Sequence, residues 1–150
     1  MVSYRINRQE RLLTLRCSGL VTAREWREAL LRAIQEVPEV LRFETFSDIR
    51  GCQTLPTSDE VREFNEFLNE VGMQASSRRS VVLAGRPAHV GMSRMLEIIG
   101  EQQSRVARLT TTSLHTAAEH LGRPEALLAA ELEALKASDE AKSAPSPTAS

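Results

Sequence analysis

The hydrophobic pattern of this chain switches repeatedly between period two and period 3.6, and that switching leaves few folds open. Two strand-like runs are each followed by a threonine with a glutamate three residues on, Thr22 to Glu25 and Thr57 to Glu60. In such a capping box the hydroxyl accepts the glutamate amide proton while the carboxylate reaches back to the threonine amide. Each box therefore marks a helix start directly after a strand, which predicts alternating strand and helix layers with crossover connections.

The chain opens on two strand-like runs. Ser3 to Asn7 turns Tyr4 and Ile6 inward, and Arg11 to Ser18 does the same with Leu13, Leu15 and Cys17. The short polar turn between them predicts an antiparallel hairpin. After Thr22, the stripe Trp26, Ala29, Leu30, Ala33 and Val37 predicts a helix that Pro38 ends, with Glu28 and Arg32 spaced for an i,i+4 pair. Residues 43–49 predict the third strand, with Phe43, Thr45 and Ser47 on one face and Phe46 and Asp48 on the other. The second capped helix buries Val61, Phe64, Phe67, Leu68 and Val71 and stops at Gly72, leaving its carboxylates as a solvated face. SVVLA at 80–84 is continuous and β-branched, which suits a strand buried on both faces. Met92, Met95, Leu96 and Ile99 then predict a third helix, and 105–110 a fifth strand. Ser113 caps a short helix closed by Gly122.

The predicted order is β-β-α-β-α-β-α-β-α with a further helix over 123–137, where Leu128, Leu132 and Leu135 share one side. That helix packs either on its own domain or on a partner. The polar segment 138–150, rich in Pro, Ser and Ala, predicts disorder. The fold class is α/β, with a mixed, mostly parallel five-stranded sheet.

Composition narrows function mainly by exclusion. A net charge of −1 supplies no field for nucleic acid, and 4% aromatic residues leave few stacking platforms. Cys17 and Cys52 form no CxxC or Cys/His set, so no metal site is predicted and two reduced thiols are. Nowhere do eighteen apolar residues run together, so no transmembrane segment is predicted, and the expected location is cytoplasmic. His115 and His120 stand five apart, off the i,i+4 spacing of helical ligands. GMS at 91–93 is no G-x-S-x-G elbow, and neither a P-loop nor G-x-G-x-x-G occurs. No enzyme and no cofactor are predicted.

Several landmarks recur in one order: Ser18-Gly19-x-Val21-Thr22 into a helix, Asp48-Ile49-Arg50 after the third strand, and Thr57-Ser58-x-Glu60. SVVLA, Gly91-Met92-x-Arg94-Met95 and Ala118-x-x-Leu121-Gly122 follow. Over roughly residues 3–122 the chain resembles the bacterial STAS domain superfamily, in particular its SpoIIAA-like (STAS/SEC14-type) branch. The resemblance implies the SpoIIAA-like fold and a small regulatory module without catalysis. In the family's anti-sigma-factor antagonists, a serine at the start of the helix after the third strand is phosphorylated, which toggles binding to a regulatory kinase. Thr57 and Ser58 occupy that place, although RGCQTLPTSDE stands where the family carries Asp, Ser and Gly.

Two functional expectations follow. The first is a cytoplasmic protein-interaction module whose partner, a regulatory kinase or a second copy, meets the rim at Thr57 and Ser58. The second is a small apolar, lipid-like ligand carried beside the third helix. Ligands in open α/β sheets sit off the carboxyl ends of strands. That rule makes Asp48, Arg50, His89, Gly91, Met92, Arg94 and Met95 the candidate ligand rim.

Overall fold

A computed structural model describes residues 1–54, 56–87, 89–91, 94 and 105–143. The strands are β1 (Val2–Asn7), β2 (Leu12–Gly19), β3 (Glu44–Cys52), β4 (Arg78–Leu83) and β5 (Val106–Thr111). The helices with defined bounds are α1 (Ala23–Glu36), α2 (Ser58–Glu70), α3 (Leu114–Leu121) and α4 (Glu125–Ser143), with a 3-10 turn at Pro38–Arg42. Pro87, His89, Val90, Gly91 and Arg94 are also helical. The helical stripe predicted over 92–99, including Met92 and Met95, lies outside the described residues apart from Arg94.

The sheet order is β1-β2-β3-β4-β5. β1 and β2 form the predicted antiparallel hairpin, and every later neighbour is parallel. Paired residues share a face. Leu13, Thr45, Ser80 and Arg108 therefore form one row across the sheet, and Leu15, Ser47, Val82 and Thr110 the next. α1 and α2 cover this face. Phe46, Val81 and Leu83 point the other way and pack with Leu12 against Ala117, Ala118, Leu121, Leu128 and Leu132 of α3 and α4.

Local chemistry explains the helix ends. Both capping boxes form: Thr22 Oγ1 accepts from the Glu25 amide at 3.2 Å, and Glu25 returns a carboxylate to the Thr22 amide at 2.8 Å. α2 stops in a Schellman arrangement, with Gly72 at φ +83° and the Met73 amide donating to the Leu68 carbonyl at 3.0 Å. Gly122, at φ +62°, closes α3 in the left-handed conformation.

Four sequence expectations need correction. β2 is buried on both faces rather than one, since Leu12 and Thr14 are as hidden as Leu13; its period-two signal described only half of the strand's surroundings. β3 runs three residues past Ile49 because Ser18 and Gly19 continue to pair with Gly51 and Cys52. Glu28 accepts from Arg24 at 3.0 Å, one turn toward the N-terminus, and not from Arg32.

The fourth correction concerns the C-terminal helix, which runs to Ser143 and so includes six residues read as tail. Asp139 gives the reason. It is 5% exposed, and it accepts from Ser3 Oγ and Arg16 Nη1, both at 2.8 Å. Two turns earlier Glu131, also buried, accepts from Arg5 Nε and Asn7 Nδ2, each at 2.8 Å. Ser3, Arg5 and Asn7 alternate along β1, so one polar strand face meets two acids on a leucine-bearing helix face. Burial of Leu128, Leu132 and Leu135 adds about 1.5–3 kcal/mol each. Residues 144–150 lie outside the described residues.

A chain ending after Ala137 loses Asp139 and leaves Arg16 without its carboxylate. Its unfolding free energy is expected to fall below that of a chain ending after Ser143 by about 1–3 kcal/mol, lowering its urea midpoint. Equal midpoints would show that the last six helical residues contribute nothing.

Candidate functional site

The covering helices do not fill the space above the sheet. A chamber of about 160 Å³ lies between α1, α2 and the sheet face that carries the two shared rows. Among the described residues its roof is mainly apolar, with Trp26 and Leu30 from α1 and Val61, Phe64 and Leu68 from α2, and Glu60 of α2 as the charged exception. Its floor differs, because the shared rows bring hydroxyls together at Thr45, Ser47, Ser80 and Thr110. Small hydroxyl residues at the centre of a covered sheet leave volume that leucine or isoleucine would have filled.

Two arginines border the floor. Arg78 is 9% exposed. It donates to the Met73 carbonyl at 3.0 and 3.1 Å, to Thr45 Oγ1 at 2.6 Å and to the Phe43 carbonyl at 3.3 Å. These acceptors are all neutral oxygens. Burial, and then the like charge of Arg108, lower its pKa to about 10, so it stays charged at neutral pH. Arg108 donates to Gln74 Oε1 at 3.3 Å, and Gln74 in turn holds Asn65 of α2. The floor thus carries donors and positive charge under a mainly apolar roof.

The predicted rim lies at the carboxyl end of the strands; Asp48 pairs with Leu83 and so shares the α3 and α4 face, and Asp48, Arg50 and His89 do not line the chamber. Asp48 and Arg50 close on each other through paired bonds of 3.0 and 2.9 Å, and Asp48 also accepts from the Arg50 amide at 3.0 Å. Arg50 rests against Gly85, where an added Cβ would lie 3.3 Å from its Cγ. Arg86 links the neighbouring pieces, donating to the Cys52 carbonyl at 2.8 Å and contacting His89 Nε2 at 2.9 Å. A guanidinium only donates, so Nε2 accepts and the proton of the neutral imidazole sits on Nδ1. His89 is fully buried. Its pKa is lowered by that burial first and by the Arg86 charge second.

The remaining predicted residues sort by environment. Thr57 is the N-cap of α2: its Oγ1 accepts from the Glu60 amide at 3.2 Å, and its own amide donates to Glu60 Oε1 at 3.1 Å. That use stabilises the helix by about 1 kcal/mol. Ser58 is exposed at the first position of α2. Gly91 and Arg94 are exposed, and an added Cβ at Gly91 would meet nothing within 4 Å. Met92 and Met95 lie outside the described residues. The structure therefore brings Asp48, Arg50 and His89 to one edge, where Gly85, Arg86 and Cys52 join them. Thr57 and Ser58 stand apart, one short loop further on.

His115 and His120 have separate roles: His115 Nε2 pairs with Glu119 at 2.7 Å, and His120 Nε2 contacts the Ala107 carbonyl at 2.9 Å. Among the described residues no cluster of three or more His, Cys, Asp or Glu is placed to hold a metal, and no helix is long and apolar enough to cross a membrane.

The floor arginines and hydroxyls carried little signal in the sequence. Arg78 looked like the flank of SVVLA, and Thr45 and Ser47 looked like ordinary strand residues. The usable hint was a run of small hydroxyl residues on strands predicted to be covered. No protein-family model matches the chain, and no curated protein matches it.

Because the folded state holds His89 neutral, it binds that proton less tightly than the unfolded chain. The sign of linkage then gives stability that is present above the ordinary imidazole pKa of about 6.5 and is lost as pH falls through it. The urea midpoint should drop between about pH 7.5 and pH 5.5, with a smaller drop in His89→Gln. Parallel profiles for the two proteins would refute this.

Proposed function

We propose that this chain is a non-enzymatic regulatory module of the STAS, SpoIIAA-like type, and that it receives its signal as a small molecule held in the chamber. The chamber is the observation that carries this reading. Its volume of about 160 Å³ lies well below the roughly 300–1,000 Å³ of drug-sized sites. It matches instead an engineered apolar cavity of about 150 Å³ that takes up benzene. The ligand is therefore a ring or a short acyl chain, more compact than a whole lipid. The hydroxyl floor and Arg78 favour a polar or anionic end on an otherwise apolar body.

The element order supports the family reading, with an antiparallel hairpin opening a parallel sheet and a capped helix following the third strand. The chamber roof supports the regulatory reading, since α2 contributes both the roof and the exposed Ser58. A ligand that shifts α2 would move the surface a protein partner meets.

Short-chain carboxylates and single-ring aromatics are the probes. At a hundredfold excess over Kd, a fitting probe stabilises the protein by about 2.7 kcal/mol and raises its melting temperature. Val82→Phe, which fills the floor, should abolish the shift while remaining folded. A panel that leaves the melting temperature unchanged would sink the ligand reading.

A second reading rests on the exposed hydroxyl of Ser58. A phosphate there would meet the free amides and positive dipole end of α2, so phosphorylation could switch a protein partner without a small ligand. Ser58→Asp should change what a tagged full-length chain captures relative to wild type. Captures at background level for both proteins would contradict it.

A further inference from the structure

The chain's two cysteines stand on neighbouring strands. Ser18 pairs with Gly51 and Gly19 with Cys52, so Cys17 lies diagonally across from Cys52. Both side chains belong to one apolar cluster, both are buried, and both are free thiols. Gly51 lets the strands approach, since a Cβ there would lie 2.9 Å from the Cys17 carbonyl oxygen. Cys52 also forms part of the chamber wall.

The thiols differ in character. The two thiols influence each other, and this mutual influence is the largest on both groups. It holds Cys52 below the ordinary thiol range and pushes Cys17 above it. The protonated Cys52 Sγ donates to the Thr54 carbonyl at 3.5 Å. The thiolate is the nucleophilic form, so the pair contains one sulfur ready to attack and a second beside it.

We propose that Cys17 and Cys52 form a peroxide-sensing dithiol, with Cys52 as the attacking sulfur and Cys17 as the resolving one. A small hydroperoxide reaches Cys52 from the chamber. The Cys52 thiolate attacks the terminal peroxide oxygen, and the O–O bond breaks. The other oxygen takes a proton and leaves as alcohol, or as water when the oxidant is hydrogen peroxide. Cys52 is then a sulfenic acid. Cys17 loses its proton and attacks the Cys52 sulfur; hydroxide leaves, takes that proton and departs as water. Two thiols are oxidised by two electrons to one disulfide, and one hydroperoxide is reduced. A low-molecular-weight thiol reverses the bond by exchange.

The bond has a structural consequence. Diagonal neighbours on paired strands sit roughly 7–8 Å apart, whereas a disulfide needs Cα atoms within about 4.4–6.8 Å. Closing it draws the end of β3 toward β2. The adjacent Thr54 is held to Val21 through bonds of 2.9 and 2.6 Å. The chain leads directly from Thr54 into α2, so oxidation reaches the rim. The dithiol stands on the thiol geometry and does not require the chamber to bind any other ligand.

The test uses the full reduced chain, hydrogen peroxide as the probe, and intact and peptide mass spectrometry after alkylation. The expected product has lost two hydrogens, contains a linked Cys17–Cys52 peptide, resists alkylation at both sites and reverts with dithiothreitol. Cys17→Ser should leave a Cys52 sulfenic acid trapped by dimedone, and Cys52→Ser should leave Cys17 unreacted. If either variant fails to fold, wild-type alkylation at neutral pH decides, with Cys52 expected to react faster by roughly tenfold or more. The proposal is overturned if both wild-type thiols still alkylate fully after peroxide, if only intermolecular disulfides form, or if Cys17 reacts first.

Discussion

β3 is the strand on which the rest of the molecule depends, because both of its faces are covered and each carries different chemistry. Phe46 is completely buried on the side of α3 and α4, while Thr45 and Ser47 look into the chamber on the side of α1 and α2. A strand sandwiched this way keeps its register, since a one-residue slip would put Phe46 in the chamber and hydroxyls in the tight core. The register in turn sets the rows that place Arg78, Ser80, Val82 and Thr110 around the floor. The same strand ends in Asp48, Arg50 and Cys52 at the rim, so fold and candidate site share one element.

The two layers solve different packing problems. Beneath the sheet, leucines and alanines of α3 and α4 fill the space, and the two buried acids of α4 meet polar groups of β1 and β2. Each acid has hydrogen-bond donors within reach, which offset the cost of its burial, while Asp139 Oδ1 has no partner among the described residues. Above the sheet, the hydroxyl rows leave a partly open recess instead of the crystal-like density of a filled core. A recess under helices that also carry the exposed rim is the physical basis for reading this face as the working side.

Much of the fold was legible because its signals were local. Thr22 with Glu25, Thr57 with Glu60, Gly72 and Gly122 fix helix ends through contacts within a few residues, and the structure places those ends where the sequence did. The β-branched run at 80–84 likewise marked a strand inside the sheet, although Ser80 and Val82 on its chamber face are only half-buried. What failed to show depended on distant partners. Glu131 fell on a predicted helix and Asp139 in a predicted disordered tail, and neither showed its partners until β1 was laid beside them. Leu12 fell out of phase with the inward residues of its strand until α4 covered it. The chamber was legible only in part. The sequence pointed to a ligand beside the third helix, whose Met92 and Met95 lie outside the described residues. The floor needed the register of three parallel strands, which no single-chain periodicity encodes. Arg78 and Cys52 gained meaning only through that register.

The central claim is that the space between α1, α2 and the hydroxyl rows admits a compact apolar guest. Methyl-resolved NMR under xenon pressure tests it most directly, since xenon needs no matched polar group. The account predicts saturable shifts at the methyls of Leu30, Val61, Leu68 and Val82, with Leu128 and Leu132 on the opposite face unmoved. Unchanged roof and floor methyls at saturating xenon, or shifts confined to the α3 and α4 layer, would contradict it.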